Sequence, residues 1–519
     1  MVWHIFKKDW KLAWMFVLVV SVVHWTDSAI IYKLGLFDED PMLGMLADAV
    51  PMLAFFASMF LIGAIVHLDS IPGVRQDWLV RPISRRDLVV EKFIFVVLMV
   101  NGPIFAEVLV QGLANRFSFR LSLAAAMWQF TFFLFALTLP IFSFASVTKN
   151  ITQAFIFGCC CAFIIVGFQT IAGYVNGRAH GTLESISWSG VGWVGETARF
   201  ALSVVAAAVI LGLQYFRRKT LFSRCLVLLF GVALLATQFI PWKVAFGIEK
   251  KLSPKPGAGT STVVTFDAKL EKFRSPSGLG TSSDQGRRYN LGEHTSVFLP
   301  LQVSGTEHDA FLLTDQVEVR LIGQGGKVAF HGRGESLEFA DEGPNKAKYQ
   351  EIQVPTSVYR DVKDQPVRVE LDYSLTLFGL RESYSIPALG GDERMPGFGW
   401  CETKMNEGET VVELRCMQPG KGPTCATLFL ENETTGQRNP DRSSCHGEYS
   451  PYSGWYFGDN MAHFGANIPF RDASGLAKYP VDGPQLPHSR VVIRVYEPEE
   501  HFTRSLTISQ IELKDWEAQ

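Results

Sequence analysis

Charge is thin in this sequence. Asp, Glu, Lys and Arg make up 19% of its 519 residues, and the net charge is -3. The scarcity falls mostly before residue 242, so the balance averages two unlike halves. It carries no sign that would call for a nucleic-acid partner. Phosphate-binding and catalytic signatures are missing. No stretch matches GxxxxGK[ST], which excludes a recognisable phosphate-binding loop of the chain's own. There is no HExxH, no GxSxG and no convincing metal-ligand cluster, so no metal is expected and the chain is not expected to be an enzyme by itself. A cleavage site is missing as well. Small residues do not follow a short apolar segment near Met1, so the first apolar run is expected to remain as an uncleaved span.

What the first half does have is long apolar runs. Seven of them approach the ~20 residues that a bilayer core requires. They are Leu12–Tyr32, Met42–His67, Phe93–Leu113, Leu121–Val147, Ile151–Tyr174, Arg199–Phe216 and Leu221–Pro241. The expected transmembrane domain covers residues 12–241. Residues 1–11 interleave Phe6 and Trp10 with Lys7, Lys8 and Lys11, which fits either a helix lying at the bilayer interface or a plain basic flank. With the N-terminus inside, thirteen Lys and Arg fall on inner segments and five on short outer ones. That bias places the N-terminus in the cytoplasm and, with an odd number of spans, everything after Pro241 outside it.

The connection Ile71–Lys92 stands apart. Pro72 and Gly73 open it, Pro82 breaks it, and Ser84 with Asp87 reads as a helix N-cap. Its Arg75, Arg81, Arg85, Arg86 and Lys92 are the densest basic group between spans. Inside the spans, ionisable groups are costly and mark functional positions by default. Asp27, Asp48 and Glu107 are the candidates, all at similar depth in the outer leaflet. They fit a hydrated acidic vestibule, or carboxylates that reach the interface or bond nearby backbone.

After a linker over residues 242–260, in which Ser253–Ser261 is rich in Pro, Gly and Ser, the apolar period changes to two. Short alternating β-branched segments separated by Gly, Pro, Asn and Asp predict an all-β sandwich over 261–519, with a subdivision conceivable near Gly379–Gly399. Arg274–Asn290 reads as a polar loop. Of eight cysteines, Cys159, Cys160, Cys161 and Cys225 lie in predicted spans as packing residues. Cys401, Cys416, Cys425 and Cys445 share one window of the β half. An even number there favours disulfides, and sequential pairing is the simplest of three schemes.

The stretch DWLVRPISRRDLVVEK resembles the segment after the second span in permease subunits of ABC-type exporters, with Trp78, Arg81, Pro82, Ser84, Arg85, Leu88 and Lys92 filling the pattern. The basic N-terminal segment and the long outer connection Val175–Glu196 are similar to that family as well. The resemblance covers about the first 220 residues. It implies a bacterial inner-membrane subunit, a homodimer or heterodimer of permeases, and a separate ATP-binding subunit that carries ATP and Mg. It further implies docking of that subunit through Arg75, Asp77, Trp78, Arg81, Pro82, Ser84 and Arg85. The seventh span and the large β domain depart from the family pattern. The alternative is a membrane-anchored sensor or interaction protein acting through its β domain.

Overall fold

The computed structural model describes residues 2–36, 41–69, 84–160, 163, 167, 170, 191–237, 240–269, 294–307, 309–340, 348–396, 398–420, 425–445, 461–471 and 479–517. Five of its helices are long and apolar enough to cross a membrane: α1 (Val2–Leu34), α2 (Pro41–Leu68), α3 (Arg85–Ala114), α4 (Phe119–Ser146) and α6 (Gly192–Arg217). Two shorter apolar helices are α5 (Ile151–Cys160) and α7 (Thr220–Ala236). Among the described residues, five such helices stand where seven spans are expected. The fifth expected span runs into residues outside the described set, and the seventh is realised as a helix of 17 residues, at the short end of what a bilayer core requires. Residues 2–34 form one continuous helix, so the basic N-terminal segment is its first turns.

Local chemistry explains several boundaries. Ser84 accepts a hydrogen bond from the Asp87 amide, which caps α3 as its sequence foretold. Ser118 caps α4 in the same way through Leu121. Three of the long helices contain π-helical turns, at Val97–Asn101, Leu134–Thr138 and Gly212–Arg217. Such turns re-aim the side chains that follow and recur at functional sites. The bundle closes on a core in which Phe6, Leu61, Ile65, Phe95, Phe142 and Tyr215 meet.

The second half is almost wholly antiparallel β structure, in one ten-stranded and one four-stranded sheet. Two long strands, Val367–Pro387 and Ser489–Ile511, pair along their length and run through both cores of the domain. Along Val367–Tyr373 every second side chain is buried, the period that a half-solvated strand dictates. One core gathers around Leu371, Tyr373 and Leu375; the other gathers around Leu414, Leu428 and Ile493. The Cys401–Cys416 disulfide joins directly opposed residues of adjacent strands in the second core. Cys425 and Cys445 are likewise opposite one another in a ladder. Replacing Cys401 and Cys416 by alanine is expected to lower the stability of this domain by about 2–4 kcal/mol, because the bridge closes a 15-residue loop. Thermal unfolding of the oxidised and doubly substituted chains measures it.

The β domain sits at one end of the bundle. Arg394 donates to the Arg116 carbonyl at 2.6 Å, and Arg415 donates to the Leu36 carbonyl at 3.2 Å. Leu36, Phe117, Trp400 and Met417 pack together between them. Leu36 after α1 and the α3–α4 connection thus face the β domain, while Asp69 and Ser84, the described residues that flank the α2–α3 connection, lie at the other end. This is the segregation of connections that an alternating path through a bilayer requires.

Candidate functional site

Of the expected docking residues, Arg75, Asp77, Trp78, Arg81 and Pro82 lie outside the described residues. Their flanks are described. Arg85 is exposed and reaches across to donate to the Phe216 carbonyl of α6 at 3.3 Å. At the N-terminal side, Phe6 is buried against Phe95 at a ring separation of 5.1 Å, and Lys7 lies over the Trp3 ring. Trp10 and Lys11 are exposed.

Between these flanks the helices bury an ionic cluster. Lys92 on α3, 1% exposed, has its Nζ 2.5 Å from Asp9 Oδ2 on α1 and 2.8 Å from Asp69 Oδ2 at the end of α2. Lys8 adds a second cation, 2.9 Å from Asp69 Oδ2 and 3.4 Å from Asp9 Oδ1. Glu91 is fully buried beside them, and neither of its carboxylate oxygens has a hydrogen bond among the described residues. Three helices are thereby tied at one point. Residues Asp69 and Ser84–Lys92 bracket the basic connection, so both of its ends are anchored to this point. In the sequence Lys8 reads as a residue of an interfacial helix or of a basic flank, and Asp9 is not among the candidates. A carboxylate between a lysine and a tryptophan in a basic flank was the available signal.

A second polar cluster lies further along the same helices. His24 Nδ1 on α1 is 3.3 Å from Glu107 Oε2 on α3, and His24 Nε2 is 3.1 Å from Ser58 Oγ on α2. Ser28 donates to Glu107 Oε1 at 3.0 Å. Asp27 joins them on the wall of a cavity of about 20 Å³ lined also by Pro51, Phe55 and Leu137. Two of the three acidic candidates, Asp27 and Glu107, are therefore brought together and buried. Asp48 is on α2, and its side chain lies outside the described set. His24, Ser28 and Ser58 were missed. His24, Asp27 and Ser28 share the helical i, i+3, i+4 spacing that sets side chains on one face, which is the signal that could have found them. A third buried contact, Thr138 Oγ1 donating to Asn101 Oδ1 at 3.1 Å, joins the ends of two of the π-helical turns.

The two larger clusters are in register. Asp9 to His24 and Lys92 to Glu107 are each fifteen residues, about 22 Å of helix. So α1 and α3 run in parallel and are tied at two matching levels. The cavity at the upper level is of water size, since a water needs roughly 10–15 Å³. It cannot house an organic solute in this conformation. Among the described residues no group of His, Cys, Asp and Glu is arranged to hold a metal ion.

Fold and site together define a class: a membrane-embedded helical region with buried polar ties, carrying a β-rich domain. No family model matches the chain. No curated protein matches it.

Proposed function

We propose that this chain is the membrane-spanning subunit of an ABC-type exporter, driven by a separate ATPase that docks on the connection between α2 and α3. The supporting observation is the ionic cluster. Lys92, itself buried, binds Asp69 across that connection and Asp9 on α1. A force applied to the connection reaches α1, α2 and α3 together. Arg85 extends the reach to α6, which runs from Trp193 at the β-domain end to Phe216 at this one, about 35 Å. Exposed basic side chains there suit an acidic groove on a partner, where charge complementarity sets orientation and rate of docking. In this reading the N-terminus and the connection are cytoplasmic, the β domain is extracytoplasmic, and two permeases assemble with two ATPase copies. ATP and Mg belong to the partner.

Pull-down of the tagged full-length chain from its native membrane tests this reading. The expected product contains an ATPase at one copy per chain and hydrolyses ATP. Charge reversal at Arg81 and Arg85 is expected to lose the partner at least about tenfold while the chain remains inserted. A preparation free of any nucleotide-binding partner in all mild detergents would sink the proposal.

A further inference from the structure

The junction between the bundle and the β domain buries ionisable groups that the exporter reading does not use. Helix α8 (Trp242–Lys251) follows the last apolar helix and wedges between the start of α6 and the long strand Ser489–Ile511. Its Trp242 and Phe246 stack, and Phe246 meets the His501 ring edge-on. On the same face Glu249, 4% exposed, accepts a hydrogen bond from Trp193 Nε1 of α6 at 3.1 Å. Its other oxygen, Oε2, has no hydrogen bond among the described residues and faces His501 Nδ1 at 3.8 Å. Behind His501 stands Thr376, whose Oγ1 is 2.8 Å from the imidazole Nδ1 and 2.6 Å from Asp315 Oδ2. Thus Glu249, His501, Thr376 and Asp315 form one buried string from the helix into the β domain.

The residues after α8 are strapped down too. The Gly257 amide donates to Glu500 at 2.8 Å, the Gly259 amide donates to the same carboxylate, and Arg504 donates to the Gly259 and Thr260 carbonyls. The domain is therefore held by this junction rather than hung from a loose tether.

The charges around the string are one-sided. On α8, Lys243 points to the rim, where it pairs with Glu318 at 2.8 Å, and Lys250 and Lys251 are exposed. From the long strand, Glu499 pairs with Lys255 and Glu500 with the glycine amides. From the strand Phe311–Ile322 comes Asp315, from Val367–Pro387 comes Thr376, and from α6 comes the neutral Trp193. Glu249 faces the imidazole directly and Asp315 reaches it through Thr376, and among the described residues no lysine or arginine enters the string. Two buried carboxylates without a cation are untenable unless they hold protons.

We propose that this junction is a pH-sensitive clamp, which holds the β domain against the bundle near neutral pH and loosens as the surrounding medium turns alkaline. Burial pushes the Glu249 carboxyl from 4.5 up to about 7, and burial with the nearby Glu249 raises Asp315 well above its ordinary range. Burial also lowers His501 from 6.5 to about 4. The signs oppose. A carboxyl raised on docking makes the docked state take up a proton, so its stabilisation is full at low pH and is lost as pH rises through the raised value. A histidine lowered on docking subtracts stability as pH falls from 6.5 towards 4. Above about 6.5 His501 is neutral whether docked or free, and the two carboxyls alone set the direction. Because α6 joins this clamp to the ionic cluster at the far end, release here frees one end of a spanning rod.

The clamp does not depend on the transport reading, and its test needs no substrate. Hydrogen exchange of the full-length chain in nanodiscs, corrected for the intrinsic rate, is followed at about pH 6.5 and about pH 8.5. Protection of the Ala245–Lys251 amides is expected to fall roughly three- to tenfold at the higher pH, while Val369–Leu375 in the domain core stays protected. The doubly neutral chain, Glu249→Gln with Asp315→Asn, is expected to keep its protection at both. Equal protection in the wild type at both pH values overturns the clamp. So does an equal loss in the core strand, which signals unfolding rather than undocking, or a double variant that opens as the wild type does.

Discussion

A chain in which methionine replaces Lys92 is expected to lose about 3–5 kcal/mol of stability, the range for breaking one side of a buried ion pair. Methionine matches the lysine stem in length and fills its channel, so packing changes little. What remains among the described residues is Asp9, fully buried, with Lys8 at 3.4 Å, and Asp69 with the same Lys8. The loss is therefore electrostatic, and it is recoverable. Adding Asp9→Asn to Lys92→Met removes the stranded charge and is expected to restore at least half of the loss. Thermal unfolding of the four chains of this cycle, in one detergent, gives the coupling directly. Additive losses in the double variant would show that Lys92 acts by packing and not as the tie between α1 and α3.

That lysine was visible in the sequence as the last member of a basic connection and of the pattern the connection resembles, not as a buried tie. The sequence shows which residues are charged; it does not show that α1 turns Asp9 towards α3. The same limit governs the second cluster. Asp27 and Glu107 stood out because carboxylates within apolar runs are costly. Their common depth was legible by counting residues along each span. Their meeting was not, since it depends on the rotation of α1 against α3. His24 escaped notice because a histidine can remain neutral and so costs less to bury.

The period-two half was legible for the opposite reason. In Val367–Tyr373 and Arg490–Tyr496 the alternation that places side chains in the core is written residue by residue. The Cys401–Cys416 pairing could also be reached, because sequential pairing is the simplest scheme for four close cysteines and the strands do bring this pair face to face. What the sequence could not convey was the junction. SPKPGAGTS reads as a linker by composition, yet its backbone amides and carbonyls are taken up by Glu500 and Arg504, more than two hundred residues away.

Replacing Glu107 by glutamine is expected to act on function more than on stability. Glutamine retains an acceptor for Ser28 and keeps the volume, and polar contacts between membrane helices contribute only about 0.6 to 2 kcal/mol each. The carboxylate facing His24 is replaced, however, and the upper of the two ties between α1 and α3 is weakened to its Ser28 hydrogen bond. With the lower tie at Lys92 intact, the helices remain anchored at the end where the ATPase is proposed to dock but are held less firmly at the level of the cavity. A push delivered at the lower end then no longer arrives at the upper one as a concerted movement. ATP turnover by the co-purified complex is expected to fall at least about tenfold, equivalent to roughly 1.4 kcal/mol, while the unfolding midpoint moves by only a few degrees. Turnover equal to wild type would leave the cluster as a structural contact between helices. Turnover lost in step with stability would mean that the upper tie holds the bundle together and transmits nothing.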